Sequence, residues 1–344
     1  MKKTLVALAA ISAITGAMAQ ATIDGAINQA YSSLTSDGAA SIKSIGGRGY
    51  GSGTSGDSQI HFKGTEDLGS GMKASFLFDI GLDPNAGTHT MSNRETWVGL
   101  SGGFGSLQIG TNYTPGFMGW LVTGGDPLGA TNSVGNLVMV QQLNDATNHS
   151  VAAAQSILYQ SPEILPGLTV QAMKGYGNDI DKVGDRTSLG VRYINGPIAA
   201  QFSNESITGA DMGFLATDGA TFLTSSNSGT DKRKSSIYSA SYDLGVAKVA
   251  TSSSKAKIIT DDDSTKASSY SVSAPFGALS VAYTTSTATV TEAAVQTKYK
   301  GTQLGLTYAL SKRTNVYMLN GTQKDADDSS LSLKQTSFGI AHNF

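Results

Sequence analysis

The side chains that usually perform chemistry are few in this sequence. It has no cysteine, which excludes disulfides, zinc–thiolate sites and thiol nucleophiles. Imidazole chemistry would depend on four histidines, and none of them lies in a recognisable catalytic or zinc-binding motif. These histidines are His61, His89, His149 and His342. Serines are abundant around them, but abundance does not make a catalytic triad. We therefore predict neither an enzyme nor a bound cofactor.

Two acidic runs and one glycine-rich run are the remaining candidates for ligand binding. Hard divalent cations favour clustered carboxylates, and aspartates cluster at 261–263 and 325–328. Solvated loop tips are the interpretation of both runs that we favour. Residues 46–53 are rich in glycine, but a phosphate-binding loop would need a Gly-Lys-Ser/Thr ending and a following helix. We predict a surface loop there.

The composition excludes several classes of protein. Only 15% of the 344 residues are charged, well below the share in a soluble domain, yet the hydrophobic fraction of 39% is not raised to compensate. The 24 basic and 26 acidic side chains give no signature of polyanion binding, so nucleic acid is not expected as a partner. After the N-terminus no run of 18 or more apolar residues occurs, which argues against a helical membrane protein.

Residues 1–19 have the parts of a cleavable secretory signal. Two lysines precede an apolar run over 5–14, and Ala17-Met18-Ala19 supplies a small-x-small cleavage site. A buried N-terminal helix is the weaker interpretation. Cleavage would leave residues 20–344 as one domain with 22 basic and 26 acidic side chains, a net charge of about −4. We therefore predict an exported protein.

The rest of the chain is dominated by alternation of period two, which indicates β-strands. Over 72–80, for example, Met, Ala, Phe, Phe and Ile occupy alternate positions, and similar patterns recur towards the C-terminus. Tyrosines near the strand ends would suit a membrane interface or, alternatively, the core of a β-sandwich. No linker divides the chain, so we predict one large all-β domain.

Short and long connections alternate between these strands. Seven compact turns are predicted at 66–71, 101–105, 162–167, 195–197, 243–245, 275–277 and 311–314. Eight longer polar stretches are predicted at roughly 34–57, 82–93, 112–154, 176–186, 205–235, 253–267, 286–295 and 320–333. Fifteen connections imply sixteen antiparallel strands with both termini on the rim that carries the short turns. This organisation is typical of a transmembrane β-barrel of the bacterial outer membrane, where closure satisfies every backbone polar group.

The last residues support a barrel. Phe338, Ile340 and Phe344 share one strand face, and the chain ends on an aromatic residue. An amphipathic terminal strand of this kind resembles the assembly signal of outer-membrane proteins, which would make the barrel assembly machinery a partner.

The order and spacing of several segments resemble the general porins of Gram-negative bacteria, in particular those of betaproteobacteria. These segments read KGTEDLG at 63–69, WVGLSGGFGSL at 97–107, YTP at 113–115, DP at 126–127, YQSP at 159–162, YINGP at 193–197, SYDLGVAK at 241–248 and YALSKRT at 308–314. The resemblance implies a sixteen-stranded homotrimer in the outer membrane, in contact with its lipid and lipopolysaccharide. It also implies a water-filled channel for small hydrophilic solutes and ions, narrowed by the long third loop folded into the lumen.

The longest connection, 112–154, agrees with an inserted loop. It holds apolar residues such as Phe117, Trp120 and Leu137 that a loop surrounded by solvent would not expose. The inner barrel wall is the surface that we expect them to contact. An extracellular partner or a contact between subunits is the alternative.

The resemblance also assigns residues to the pore constriction. Arg94 matches a wall arginine, with pairing to a wall carboxylate as its alternative role. Asp126 matches the acidic element of the inserted loop, with a turn residue as its alternative role, since Asp-Pro commonly starts turns. Tyr113 is matched as well, although packing the base of the loop explains it equally. Arg48 in the first long connection is expected to reach the vestibule, together with Lys43. No metal site is predicted.

Three positions depart from the family pattern. The family usually has basic residues where this sequence has Gln59, Thr111 and Leu158. Because these charges are missing and the net charge is negative, we expect a weakly selective pore or one with a mild preference for cations. A barrel-type enzyme and a structural or adhesive barrel remain as alternative functions.

Overall fold

The computed structural model describes residues 21–36, 41–46, 58–82, 91–125, 127, 134–138, 151–177, 184–209, 212–215, 222–225, 232–259, 263–292, 294–328 and 332–344. Side chains are described for these residues except 91–93, 212–215 and 222–225. The predicted signal, 1–19, lies outside the described residues. None of the helices in the described part of the chain is long and apolar enough to cross a membrane.

Strands make up most of the described chain. They are β1 (Thr22–Ser36), β2 (Ile42–Gly46), β3 (Gln59–Gly69), β4 (Met72–Leu82), β5 (Met91–Gly102), β6 (Gly105–Tyr113), β7 (Ala152–Gln160), β8 (Leu168–Gly175), β9 (Arg186–Asn195), β10 (Ile198–Thr208), β11 (Met212–Leu215), β12 (Phe222–Ser225), β13 (Lys232–Asp243), β14 (Lys248–Ile258), β15 (Ser264–Phe276), β16 (Leu279–Glu292), β17 (Val295–Ala309), β18 (Thr314–Asp325) and β19 (Ser332–Asn343). Helix α1 (Pro115–Val122) follows β6.

The strands close into an antiparallel barrel with sixteen positions. Consecutive strands pair around the sheet, and β1 pairs with β19 from Ala26↔Asn343 to Ser36↔Leu333, which completes the ring. Strands β2 and β3 share one position, because both pair with the same edge of β1. The predicted sixteen-stranded barrel is confirmed. Strands β11 and β12 form a separate hairpin between β10 and β13 that the sequence did not reveal.

The connections agree with prediction on one rim and differ on the other. The seven short turns join the expected strand pairs and define the short-turn rim. On the opposite rim, the long-connection rim, the predicted loops at 253–267 and 286–295 are wrong. There β14 continues to Ile258 before β15 begins at Ser264, and β16 continues to Glu292 before β17 begins at Val295. In these extensions the apolar side chains change to the inner face, where Ile258, Ala288 and Val290 are buried, whereas lysines and threonines face outward. The outward apolar pattern of the rest of each strand therefore ends, although the backbones stay paired.

Each strand separates an inner face of small and polar residues from an outer face of larger ones. On β16 the inward Ala282, Thr284 and Ser286 are buried, whereas Tyr283 between them is exposed. The predicted tyrosines divide between the two faces: Tyr242, Tyr283 and Tyr308 are exposed on the outside, whereas Tyr299 and Tyr317 are buried. An outer face of this kind suits lipid, and the inner face suits water.

The C-terminus forms the seam of the barrel. Phe344 and Gly25 exchange two backbone hydrogen bonds, with N···O distances of 3.2 and 3.0 Å. The side chains of Phe338 and Ile340 are about half exposed on the outer face of β19, as the alternation predicted. Glycine is required at position 25, because a Cβ there would lie 2.3 Å from the carbonyl oxygen of Gln59 and 2.7 Å from the ring of Phe344.

We expect Gly25→Val to hinder closure of the barrel. The clash with a backbone oxygen cannot be relieved by a rotamer change, so we expect a loss of about 1–3 kcal/mol of stability. Gly103→Ala is the matched control, because a Cβ at Gly103 meets no atom within 4 Å. Heat-dependent mobility of the folded barrel in gel electrophoresis measures the effect. Equal melting of the two variants would contradict the importance of the seam.

Candidate functional site on the inner wall

A row of alternating charges crosses the inner wall on four adjacent strands. Asp24 on β1 accepts from Lys63 Nζ and from His61 Nδ1, each at 2.7 Å. His61 Nε2 lies 3.5 Å from Asp79 Oδ1 on β4. The row ends at Arg94 on β5, whose Nε donates to Asp79 Oδ2 at 3.1 Å. We call these five residues the charge row.

Strand β6 supplies an aromatic end to the charge row. The Tyr113 hydroxyl lies 3.5 Å from Asp79 Oδ2, and the Arg94 guanidinium lies 5.9 Å from the centre of the Tyr113 ring. The Tyr113 backbone N–H donates to Glu95 Oε1 at 3.0 Å. The ring also packs edge-on against Phe117, with centroids 5.0 Å apart. Tyr113 therefore contacts the wall charges and packs the start of the connection, while its role in the pore constriction stays a prediction.

A second set of charges lies further round the wall. Arg186 on β9 is buried, lies 3.4 Å from Glu205 on β10 and donates to the carbonyl of Ala152. Arg192, also on β9, donates to the side-chain oxygen of Gln171 at 3.0 Å. The inner face thus carries basic side chains whose neighbours are wall carboxylates or amides.

Helix α1 is fixed against the wall by its ends and by one large side chain. Thr114 caps its N-terminus by accepting from the Phe117 N–H at 3.1 Å, and Pro115 occupies the first turn. Trp120 is fully buried and its indole N–H donates to Ser252 Oγ at 3.3 Å. At the C-terminal end Thr123 exchanges a hydrogen bond with Ser239. Both serines belong to inward positions of the barrel.

The described residues 134–138 contact the wall further round, on β16, β17 and β19. Ser286 Oγ donates to the Gly135 carbonyl at 2.7 Å and accepts from the Leu137 N–H at 3.2 Å. The Val134 N–H donates to Gln335 Oε1 at 3.2 Å. A Cβ on Gly135 would lie 2.0 Å from the Thr302 carbonyl oxygen. Only glycine therefore lets this backbone approach the strand so closely.

The sequence of this chain is similar to those of known outer-membrane proteins. A family model described as Gram-negative porin matches residues 5–329. The chain belongs to the Gram-negative porin family. It is 31% identical to outer membrane porin protein 32 of Delftia acidovorans, over 97% of this chain and 93% of the relative. It is 31% identical to major outer membrane protein P.IB of Neisseria gonorrhoeae, over 59% and 56% of the two chains.

Solved structures of porins share the fold. An anion-selective porin from Comamonas acidovorans superposes with a TM-score of 0.76 at 23% identity, covering 95% of this chain and 100% of that one. OmpF of Salmonella typhi, solved with daunomycin, gives a TM-score of 0.68 at 14% identity, covering 95% and 98%. The protein is thus an outer-membrane porin that forms a channel through a closed barrel.

The structure brings together some of the predicted pore residues. Arg94 and Tyr113 meet at Asp79, but Asp126 and Arg48 lie outside the described residues, so their roles stay predictions. Lys43 is paired with Ser33 and shares its outward face, away from the vestibule that we expected it to reach. Alternation along β2 explains this, because Ser44 is the residue that shares the inner face with buried Ser32.

The three positions without the family's basic residue have different surroundings in this porin. Gln59 is half-buried on β3, two residues before His61 and so on the same strand face. Leu158 lines a recess of about 230 Å³ in the wall together with Trp97 and Arg192. Thr111 pairs with Thr96 beside a β-bulge.

Several wall residues of the porin were not identified from the sequence, above all Asp79, Arg186 and Arg192. The alternation of apolar residues along β9 was a sequence signal for the two arginines. On β9 the apolar residues Leu189 and Val191 alternate with positions that include both arginines, so an outward apolar face places the arginines inside.

We expect Trp120→Ala to loosen the connection between β6 and β7. Loss of a fully buried indole costs roughly 3–5 kcal/mol, and the hydrogen bond to Ser252 is lost as well. Leu121→Ala is the control, since Leu121 is 37% exposed. Limited proteolysis of the folded porin should cleave within 112–154 faster in the first variant than in the second. Equal cleavage would show that Trp120 does not anchor this segment.

Proposed function

We propose that this porin is a weakly selective diffusion channel for small hydrophilic solutes and ions. The observation that carries the proposal is the pairing of charges on the inner wall. Lys63 with Asp24, Arg94 with Asp79, and Arg186 with Glu205 form cation–carboxylate contacts of 2.7 to 3.4 Å. Paired charges present dipoles to a passing ion rather than a net charge, and dissolved salt screens the remaining field beyond about 8 Å at physiological ionic strength.

The wall does not add to the mild cation preference that the sequence suggested. Two further basic side chains lie on the part of the inner face that the structure describes. Arg192 donates to the side-chain amide oxygen of Gln171, and Lys248 lies near Gly124, just after the C-terminal end of helix α1. Both offset the basic residues missing at Gln59, Thr111 and Leu158. We therefore narrow the proposal to weak selectivity without a strong preference for cations.

The connection between β6 and β7 narrows the lumen in this proposal. Its support comes from contacts at several wall positions, from Ser252 on β14 through Ser286 on β16 to Gln335 on β19. The charge row lies at the start of this connection, where Tyr113 leads into helix α1. Solutes would therefore pass between the connection and the charged wall, with Asp126 and Arg48 as further contributors.

The partners of the channel follow from the same family membership. We propose a homotrimer in the outer membrane, surrounded by lipid and lipopolysaccharide and inserted by the barrel assembly machinery. The exposed Phe338 and Ile340 and the terminal Phe344 support a recognition role for β19.

Asp79→Asn tests the role of the charge row in selectivity. The change removes the carboxylate to which Arg94 donates, and one unit charge near the ion path is worth about 1 kcal/mol at 4 Å in water. We expect a chloride-to-potassium permeability ratio near unity in the unmodified porin and a rise of roughly two- to fivefold in the variant. Reversal potentials in a potassium chloride gradient across planar bilayers measure it.

Glu163→Gln is the matched control for this measurement, because it removes the same charge at an exposed turn on the short-turn rim. A large shift in the control, or none in Asp79→Asn, would contradict the proposal. Absence of any steady current from the unmodified protein would favour a structural or adhesive barrel instead. A hydrolytic activity lost in a single-histidine variant would favour the enzyme alternative.

Deletion of Phe344 tests the proposed assembly signal. Without the terminal ring and the two hydrogen bonds to Gly25, we expect several-fold slower insertion by reconstituted barrel assembly machinery. Spontaneous folding into detergent separates recognition from stability: recognition predicts a defect chiefly in the machinery-dependent reaction. An equal defect in both reactions would show that Phe344 only stabilises the seam.

A further inference from the structure

The recess that Leu158 lines lies on the inner wall between β5 and β9 and has a volume of about 230 Å³. Glu95 and Trp97 of β5 line one end of it, and Arg192 of β9 lines the other. We call it the wall recess. Pockets for drug-sized ligands measure about 300–1,000 Å³, so this one suits a smaller solute.

The wall recess combines an apolar surface with side-chain amides. Trp97, Met118 and Leu158 supply the apolar surface. Beside them, Gln171 Nε2 donates to Gln160 Oε1 at 3.0 Å, which holds the two amides in a fixed arrangement. Binding sites for small molecules have this composition, with an apolar lining and a few polar groups that orient the ligand.

The two charged residues of the wall recess have no counter-charge within the described part of the chain. Neither Glu95 nor Arg192 forms an ion pair there. Arg192 donates to Gln171, but its Nε is buried without a hydrogen-bond partner among the described residues. Arg94 and Arg186, by contrast, each lie beside a carboxylate. Because an unsatisfied buried donor is costly, an acceptor on a ligand would be stabilised at Arg192.

The wall recess therefore has a negative end and a positive end. Strands β5 and β9 are four strand spacings apart, about 19 Å along the wall. Glu95 Oε1 accepts from the Tyr113 N–H at 3.0 Å, which holds this carboxylate at the β5 end. Glu95 repels an anion and Arg192 repels a cation, so a solute that carries both charges suits the recess best.

The wall recess lies on the short-turn side of the connection between β6 and β7. Its residues Ser106, Gln160 and Arg192 are at most three residues from a strand end at the short-turn rim. Tyr113 and Met118, from the start of the connection, line it as well. Short turns of outer-membrane barrels are periplasmic, so a solute that has passed the connection meets the recess before it leaves the channel.

We propose that the wall recess binds a small zwitterionic solute with an apolar side chain, the chemistry of free apolar amino acids and dipeptides. The carboxylate of the solute accepts from Arg192, its ammonium group donates to Glu95, and its side chain packs against Trp97 and Leu158. The proposal rests on the channel function proposed above and adds a solute site to the periplasmic half of the channel.

The fluorescence of Trp97 provides a direct measurement of binding. The purified full-length porin in detergent is titrated with leucine and, separately, with leucylglycine, whose extended backbone of about 7 Å separates the two charges further. Trp97 is one of two tryptophans, and the other, Trp120, is fully buried. We expect a saturable response to at least one probe, and Trp97→Phe should remove it. No saturable response to either probe would overturn the proposal.

Two variants assign the charged groups of the better-bound probe. Arg192→Gln should weaken its binding about tenfold, as expected for loss of a charged hydrogen-bond donor, but should not weaken binding of its amide, which lacks the carboxylate. Glu95→Gln keeps an acceptor for the Tyr113 N–H and should weaken the probe similarly, but not its N-acetyl form, which lacks the ammonium group. Arg313→Gln, at an exposed position of the short-turn rim, is the matched control and should bind like the unmodified porin.

The outcomes separate the wall recess from the channel itself. Selective loss of the zwitterion in both variants supports the proposal. An equal loss of the probe and of its modified form would overturn it, because the variant would then act on the shape of the recess and not on the charge of the solute. Absence of conductance in the unmodified porin would overturn the channel function alone, since fluorescence is measured without any current.

Discussion

Saturation of backbone hydrogen bonds is the constraint on which the rest of this structure depends. In hydrocarbon no water can satisfy a free strand edge, so the first and last strands must pair. Strands β1 and β19 do so over eleven residue pairs, and the terminal Phe344 adds two further bonds to Gly25. The closure leaves no room for a side chain at position 25. The C-terminal residue is therefore a structural component of the ring and is not a disordered end.

Closure with sixteen strands creates an interior too wide for side chains to fill. The inner wall is consequently built from small polar residues, and this has a second effect: it allows another backbone to lie against the wall. Ser286 both donates to Gly135 and accepts from Leu137, and Gly135 approaches a strand carbonyl where no larger residue would fit. The same serines that make the wall compatible with water thus anchor the connection between β6 and β7.

The sequence predicts the barrel well because turn residues and export signals are local. Gly, Asp or Pro occurs in six of the seven short turns, and the turns fix the number of strands. It predicts the ends of β14 and β16 at the long-connection rim badly, because there the outward face changes from apolar residues to lysine and threonine and the apolar residues, such as Ile258 and Val290, face inward. The inner wall is the least predictable part. Arg94 was identified only through a family resemblance, whereas Asp79 and His61, its neighbours in the charge row, lie on other strands and are brought together by register alone.

The strand register also explains why charged side chains have different neighbours on the inner and outer faces of the barrel. On the inner wall, the three described ion pairs that involve lysine or arginine join opposite charges on neighbouring strands, so these side chains meet their counter-charges within the chain. On the outer face the same alternation sets lysine against lysine. The strand register alone therefore decides whether a charged side chain lies beside a carboxylate, as Arg94 lies beside Asp79, or opposite a like charge, as Lys255 lies opposite Lys266.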